Sequence, residues 1–219
     1  MIKENLHKVK ESIPKDVTLV AVSKTKPNED LMKAYEAGQR ILGENRVQEL
    51  VDKAEALPKD IEWHMIGHLQ RNKVKYIAPF VNLIHGVDSV RLLKEINKQG
   101  KKNKRIIDVL LQFHIATEET KYGFDFEEAK ELLESPEFPE LQHVNIRGVM
   151  GMATFTEDKE KVRDEFRTLN NYFLVLKSHF FKFNDNFQVI SMGMSNDYQI
   201  AIEEGSNMIR IGSSIFGAR

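Results

Sequence analysis

The sequence predicts an α/β fold, a single (β/α)8 TIM barrel with an extra helix ahead of its first strand, and three observations carry that prediction. Eight short apolar runs of strand character recur along the 219 residues. Segments of helical periodicity alternate with them. No linker rich in Gly, Ser or Pro and no low-complexity stretch divides the chain. Strand followed by helix, repeated around a closed sheet, is the pattern of this barrel, whose usual length of ~250 residues makes the present chain a compact one. A doubly wound open sheet shares the alternation, but the first strand lacks the glycine-rich turn that its dinucleotide-binding version carries. One domain over residues 1–219 is expected.

The elements follow in order. Residues 3–12 read as the extra helix. The first strand, 18–23, is apolar on both faces, as a strand buried in a parallel sheet must be, and Pro27 stops it. Further strands are expected at 40–43, 62–67, 83–87, 106–115, 146–152, 188–192 and 208–211. Helical patterns lie at 28–37, 47–57, 89–99, 126–134, 158–178 and 196–204, the last with Ser195, Asn196 or Asp197 as its N-cap. The C-terminal ends of barrel strands converge on one face. That grouping puts Lys24, Asn45, His68, Asp88, Thr117, Ser191 and Gly212 with Ser213 on or near one rim.

Composition narrows the chemistry. With 32 basic and 33 acidic residues the formal charge is −1, so no overall field draws the chain to nucleic acid or an anionic bilayer, and an anionic ligand must be held by local geometry. The basic cluster of Lys101, Lys102, Lys104 and Arg105 follows Gly100 and reads as a solvated turn. The absence of cysteine removes thiolate catalysis, disulfides and cysteine-ligated metals. His64 and His68 are four apart, but the first sits in a strand, so no metal site is expected. No Ser/His/Asp arrangement or paired carboxylate supports hydrolysis. The start has no apolar signal core, and no apolar run approaches the ~20 residues of a spanning helix, so a cytoplasmic location is expected.

Lys24 ends the first strand at the rim of the core. Lost solvation and the nearby Lys26 both favour its neutral amine, the form Schiff-base chemistry needs; the alternative is a lysine that snorkels to water. Arg210 lies inside an apolar strand, where a guanidinium needs a carboxylate or a ligand. Gly212 and Ser213 open a small-residue turn after the eighth strand, and Ser191 ends the seventh, the two places where barrels commonly hold phosphate. Glu44 and Asn45 stand at a strand-to-helix junction, as caps or as ligand contacts.

Together Ala21-Val-Ser-Lys-Thr-Lys-Pro27, Gly43-Glu-Asn-Arg-Val-Gln-Glu49, Trp63-His-Met-Ile-Gly-His-Leu-Gln70, Arg147-Gly-Val-Met-Gly-Met152, Ser191-Met-Gly-Met-Ser195 and Ile209-Arg-Ile-Gly-Ser-Ser-Ile-Phe-Gly-Ala-Arg219 closely resemble the pyridoxal phosphate homeostasis protein family. The resemblance runs in order from Val17 to Arg219. It implies a barrel like the N-terminal domain of alanine racemase that binds pyridoxal 5′-phosphate (PLP), the vitamin B6 cofactor. It also implies that Lys24 carries PLP as a Schiff base; strand parity alone does not choose between Lys24 and Lys26. By the same resemblance Ser191, Gly212 and Ser213 hold the phosphate, Arg210 faces the pyridine nitrogen and Asn45 lies near the ring. Ser213 stands where threonine is common and keeps the hydroxyl. Arg46 and His68 stand where tyrosine and proline are frequent, and neither is assigned to the site.

The resulting expectation is a PLP carrier in B6 homeostasis, without turnover of its own, that releases or transfers the cofactor by transimination. Apo PLP-dependent enzymes and free amino acids are the implied partners, and the chain is expected to be a monomer or weak dimer. The enzymatic alternative is an amino-acid racemase. Racemases of the alanine type draw a catalytic tyrosine from a C-terminal domain of the partner subunit, and with this chain ending at Arg219 the lost acid–base term is expected to amount to ~10²- to 10⁴-fold. A cofactor-free lysine aldolase is the remaining alternative.

Overall fold

The computed structural model describes residues 1–118 and 122–217. Eight parallel strands close into a barrel in chain order: β1 (Thr18–Val22), β2 (Ile41–Glu44), β3 (Glu62–Met65), β4 (Leu83–Val87), β5 (Ile107–Gln112), β6 (Val144–Met150), β7 (Val189–Ser191) and β8 (Met208–Ile211). Closure excludes the open sheet, because β8 returns to β1 with Val20 opposite Arg210 and Ala21 opposite Ile211. The first helix, α1 (Ile2–Glu11), buries Ile2, Leu6 and Val9, one stripe at helical spacing, and Asn5 Nδ2 donates to the Ile215 carbonyl at 3.1 Å.

The outer helices α2 (Asn28–Glu36) and α3 (Val47–Ala56) follow the first two strands. Between β3 and β4 the crossover shrinks to a 3-10 turn, Arg71–Lys73, and a single-turn helix, α4 (Val74–Ile77). The sequence shows no separate helical pattern there because one turn is too short to establish a period. Beyond it come α5 (Val90–Lys102), α6 (Phe126–Glu134), α7 (Lys159–His179) and α8 (Tyr198–Glu203), and then a one-turn α9 (Ser213–Phe216) inside the stretch expected to be a loop. The N-cap of α8, Asp197, makes no side-chain capping bond. Asp197 Oδ1 instead accepts the Met194 N–H at 2.6 Å and ties the preceding loop to itself.

Apolar side chains form two layers. One lies between the strands and the helices, and the other fills the lumen with Val20, Val22, Ile66, Leu83, Leu110, Met150, Val189 and Met208. The alternation that sends Val20 and Val22 inward brings Lys24 to the same side beyond the strand end. On β8 the same parity joins Met208 to Arg210.

β6 carries one extra residue against β5, since Val109 faces Ile146 while Leu110 faces Gly148. Gly148 adopts φ +152°, and a Cβ there would stand 1.8 Å from the Val189 carbonyl oxygen. The clash is with backbone and no rotamer relieves it. Gly148→Ala is therefore expected to lower stability by about 3 kcal/mol or more, read as an earlier urea midpoint.

Candidate functional site

A cavity of about 400 Å³ opens at the C-terminal ends of the strands, within the size range of small-molecule sites. Lys24, Asn45, Arg210, Gly212 and Ser213 all line it. Ile66, Met152 and Met194 supply apolar wall. Ser191, the sixth expected residue, is fully buried and not part of that wall; its hydroxyl accepts from Arg210 Nη1 at 2.5 Å and meets His85 Nδ1 at 2.9 Å. Ser195, one of the three candidate caps of α8, lines the cavity, and Asp197 holds the N-cap position. His68 and Asp88 pair with each other at 3.0 Å beside a separate depression, and Thr117 bonds to Thr154, so these three rim residues do not join the group.

Lys24 sits in a turn whose backbone is gripped on both sides. The Ser23 carbonyl, on one side, accepts from Lys53 Nζ at 2.8 Å. The Thr25 N–H, on the other, donates to Glu49 Oε1 at 2.5 Å. Lys53 and Glu49 are themselves paired at 2.7 Å, one turn apart on α3. Thr25 adopts φ +63°, a left-handed conformation that costs a non-glycine residue about 1 kcal/mol or more. The clasp holds that conformation in place. Lys26, two residues on, donates from Nζ to the Gly217 carbonyl at 3.1 Å, although it also borders the cavity.

Beneath the clasp Lys53 Nζ reaches Glu44 Oε1 at 2.8 Å, and the Ser23 hydroxyl donates to the same oxygen at 2.5 Å. Glu44 is fully buried and its Oε2 has no partner among the described residues. Burial raises its pKa, and the bonds from Lys53 and Ser23 oppose that shift. One sequence signal for this cluster was available. Leu50, Lys53 and Leu57 share one helix face, and a lysine in apolar phase needs a partner.

Arg210 enters the cavity floor from β8. Burial draws its pKa down to about 10, with the Asp197 carboxylate opposing, so it remains a cation at neutral pH. Nη2 donates to the Gly151 carbonyl at 3.2 Å. Below it His64 and His85 meet inside the barrel, Nδ1 to Nε2, at 3.0 Å. Desolvation pushes His64 down to about 3 and His85 well below its ordinary value, so both rings are neutral. A histidine whose folded pKa is depressed binds its proton preferentially in the unfolded chain. Its contribution to stability is complete above about pH 6.5 and falls away as the pH drops toward 3. Replacing His64 by glutamine is expected to flatten that acid loss between pH 6.5 and 4, measured by denaturant titration against wild type.

The opposite wall carries Gly212 and Ser213 at the turn into α9. The turn into α9 leaves the Ser213 and Ser214 amides outside the helix's own bonding, which begins with Ile215 and Phe216 donating to the Gly212 carbonyl. Gly212 lies against β1, and a Cβ there would stand 3.0 Å from the Val22 carbonyl oxygen. Ser195, Ser213 and Asn45 line the same cavity. The cavity thus brings a buried cation, a lysine and hydroxyl-bearing residues together, a set able to hold a small anionic ligand.

Comparison with known proteins agrees with this geometry. A pyridoxal phosphate homeostasis protein from Aquifex aeolicus is 43% identical over 202 residues, covering 92% of this chain and 86% of that one. The chain belongs to the pyridoxal phosphate homeostasis protein family. The Escherichia coli K12 member is 36% identical over 210 residues, 94% of this chain and 87% of its own. The family model described as the N-terminal domain of alanine racemase matches residues 1–219. Among solved structures, PipY of Synechococcus elongatus without PLP superposes with a TM-score of 0.93 at 33% identity, covering 99% of this chain and 100% of that one. PipY with PLP bound gives 0.88 at 32%, with the same coverage. The (β/α)8 architecture expected from the sequence is therefore that of the homeostasis protein family as well. Of the motifs that carry the resemblance, the last two residues, 218 and 219, lie outside the described residues.

Proposed function

We propose that this chain is a PLP-binding protein of vitamin B6 homeostasis that holds PLP as a Schiff base on Lys24 and passes it on by transimination. The observation that carries the reading is the convergence, in one cavity, of Lys24, the buried Arg210 cation and Gly212 with Ser213 at the start of α9. Family membership and the PLP-bound PipY structure support it.

The residues present fit the cofactor. Gly212 and Ser213, with Ser195 beside them, would hold the phosphate. Arg210 would face the ring nitrogen, Asn45 would lie near the ring, and Lys24 would meet the aldehyde. When bound, PLP supplies an electrophilic carbon that amines attack in exchange for one another. Arg210 stays protonated and donates, so it leaves a pyridine nitrogen unprotonated and weakens the ring as an electron sink. The clasp on Ser23 and Thr25 sets the direction from which the Lys24 amine enters, and the apolar wall of Ile66, Met152 and Met194 limits water.

The site favours a carrier over a racemase. Among the described residues the cavity wall carries no tyrosine or histidine. Its two other ionisable groups are occupied, Lys26 with the Gly217 carbonyl and Asp197 with the Met194 amide. One face of a substrate carbon thus lacks a positioned acid–base group, a deficit of about 10²- to 10⁴-fold. Free amino acids and apo-enzymes as recipients, a cytoplasmic location and a monomeric or weakly dimeric state belong to the same proposal. Among the described residues no helix is long and apolar enough to cross a membrane.

Borohydride reduction of the PLP-treated protein followed by peptide mapping tests the anchor, with the modified peptide expected to contain Lys24. L-alanine incubated with the loaded protein in deuterated water is expected to exchange its α-hydrogen no faster than with free PLP. Modification elsewhere overturns the anchor, and sustained exchange with loss of optical purity overturns the carrier.

A further inference from the structure

The barrel lumen is not wholly apolar. Four polar side chains on four strands, His64 on β3, His85 on β4, Ser191 on β7 and Arg210 on β8, join in one unbroken line of hydrogen bonds. All four are buried, none being more than 4% exposed. The upper end is the PLP cavity. The lower end, His64, lines a second cavity of about 270 Å³ at the N-terminal ends of the strands, beside Glu62, Asn82, Asp108 and Arg147.

We propose that His85 is a positioning residue for the cofactor site, the middle of a His64–His85–Ser191 pillar that holds the Arg210 guanidinium in place at the floor of the PLP cavity. This rests on the PLP reading given above. The directions of the bonds follow from the guanidinium, which can only donate. Its Nη1 proton points at Ser191 Oγ, so the hydroxyl proton of Ser191 must go elsewhere, and among the described residues the acceptor within reach is His85 Nδ1. His85 then carries its proton on Nε2 and donates to His64 Nδ1, leaving the His64 proton on Nε2. The neutrality that burial imposes on both rings is the state this arrangement needs.

The opposite arrangement, with His85 donating from Nδ1, leaves the buried Ser191 proton without an acceptor among the described residues. The pillar and the Gly151 carbonyl together take one proton from each terminal nitrogen of Arg210, which fixes the guanidinium plane and leaves its other protons for a ligand. A leucine at position 85 takes the acceptor from Ser191. Its hydroxyl proton then competes with Nη1 for the same space, and the guanidinium is released from its orientation. Glutamine keeps an acceptor and a donor.

Nitrogen-15 NMR of the histidine-labelled full chain without PLP is expected to show His85 and His64 protonated on Nε2 alone at neutral pH. In PLP titrations His85→Leu is expected to weaken binding about 10-fold and His85→Gln to restore most of it, since a bond to a charged network is worth that much. Should His85→Leu fail to fold, Ser191→Ala removes the same link with a smaller change and is expected to weaken binding likewise. A proton on His85 Nδ1, or PLP affinity that all three variants leave unchanged, overturns the pillar. A wild-type chain that shows the expected tautomers and yet binds no PLP overturns the cofactor reading instead, and with it the role given to His85.

Discussion

Lys24→Ala is expected to abolish the reducible PLP adduct while leaving the barrel folded. Lys24 is half-buried at the cavity edge, outside both apolar layers. Its truncation creates no core void, so the change in unfolding free energy should stay within about 1 kcal/mol. Among the described residues the other lysine on this cavity is Lys26, two residues on, whose Nζ donates to the Gly217 carbonyl across the C-terminal turn. Lys26→Ala is expected to keep the adduct. Weak, reversible PLP binding should survive in Lys24→Ala, since Arg210, Gly212 and Ser213 are untouched. Visible absorbance before and after borohydride, with circular dichroism as the fold control, reads both variants. An adduct that persists in Lys24→Ala and disappears in Lys26→Ala would transfer the anchor to Lys26, and one that persists in both would remove it from this loop.

The fold was legible in the sequence because parallel strands buried on both faces are written as unbroken apolar runs, and each of the eight observed strands overlaps one of those runs. The convergence of Lys24, Asn45, Arg210, Gly212 and Ser213 was legible for a related reason, as all five stand at or within two residues of strand ends. What escaped was set by pairing between distant strands. Ser191 is at the rim by position, yet its hydroxyl turns inward to His85, 106 residues away, a contact that no local pattern encodes. Of the three residues the sequence offers as the N-cap of α8, Asp197 takes the position and its carboxylate bonds Met194, while Ser195 lines the cavity. Single-turn helices such as α9 leave no periodic trace, although α9 begins at the cavity wall with Ser213.

The second large effect belongs to Lys53. Lys53→Met removes the cation that bridges Glu44, Glu49 and the Ser23 carbonyl. Glu44 is fully buried and already has one oxygen without a partner, so the loss leaves an uncompensated carboxylate in the core. Breaking a buried pair on one side costs about 3–5 kcal/mol, and urea unfolding at neutral pH is expected to show a loss of that order. The pH dependence supplies the sign. A carboxylate whose folded pKa is raised binds its proton more tightly in the native state, so its penalty grows as the pH rises above the unfolded value and shrinks as the pH falls. Lys53→Met should therefore recover part of its stability as the pH is lowered toward 5. The double variant Lys53→Met with Glu44→Gln should be more stable than Lys53→Met at neutral pH and lose that recovery. The site should suffer too, because the clasp on Ser23 and Thr25 goes with Lys53, and the adduct on Lys24 should form more slowly even where the chain is folded. A Lys53→Met chain within about 1 kcal/mol of wild type at neutral pH, with an unchanged rate of adduct formation, would mean that the strained turn at Thr25 holds without the clasp.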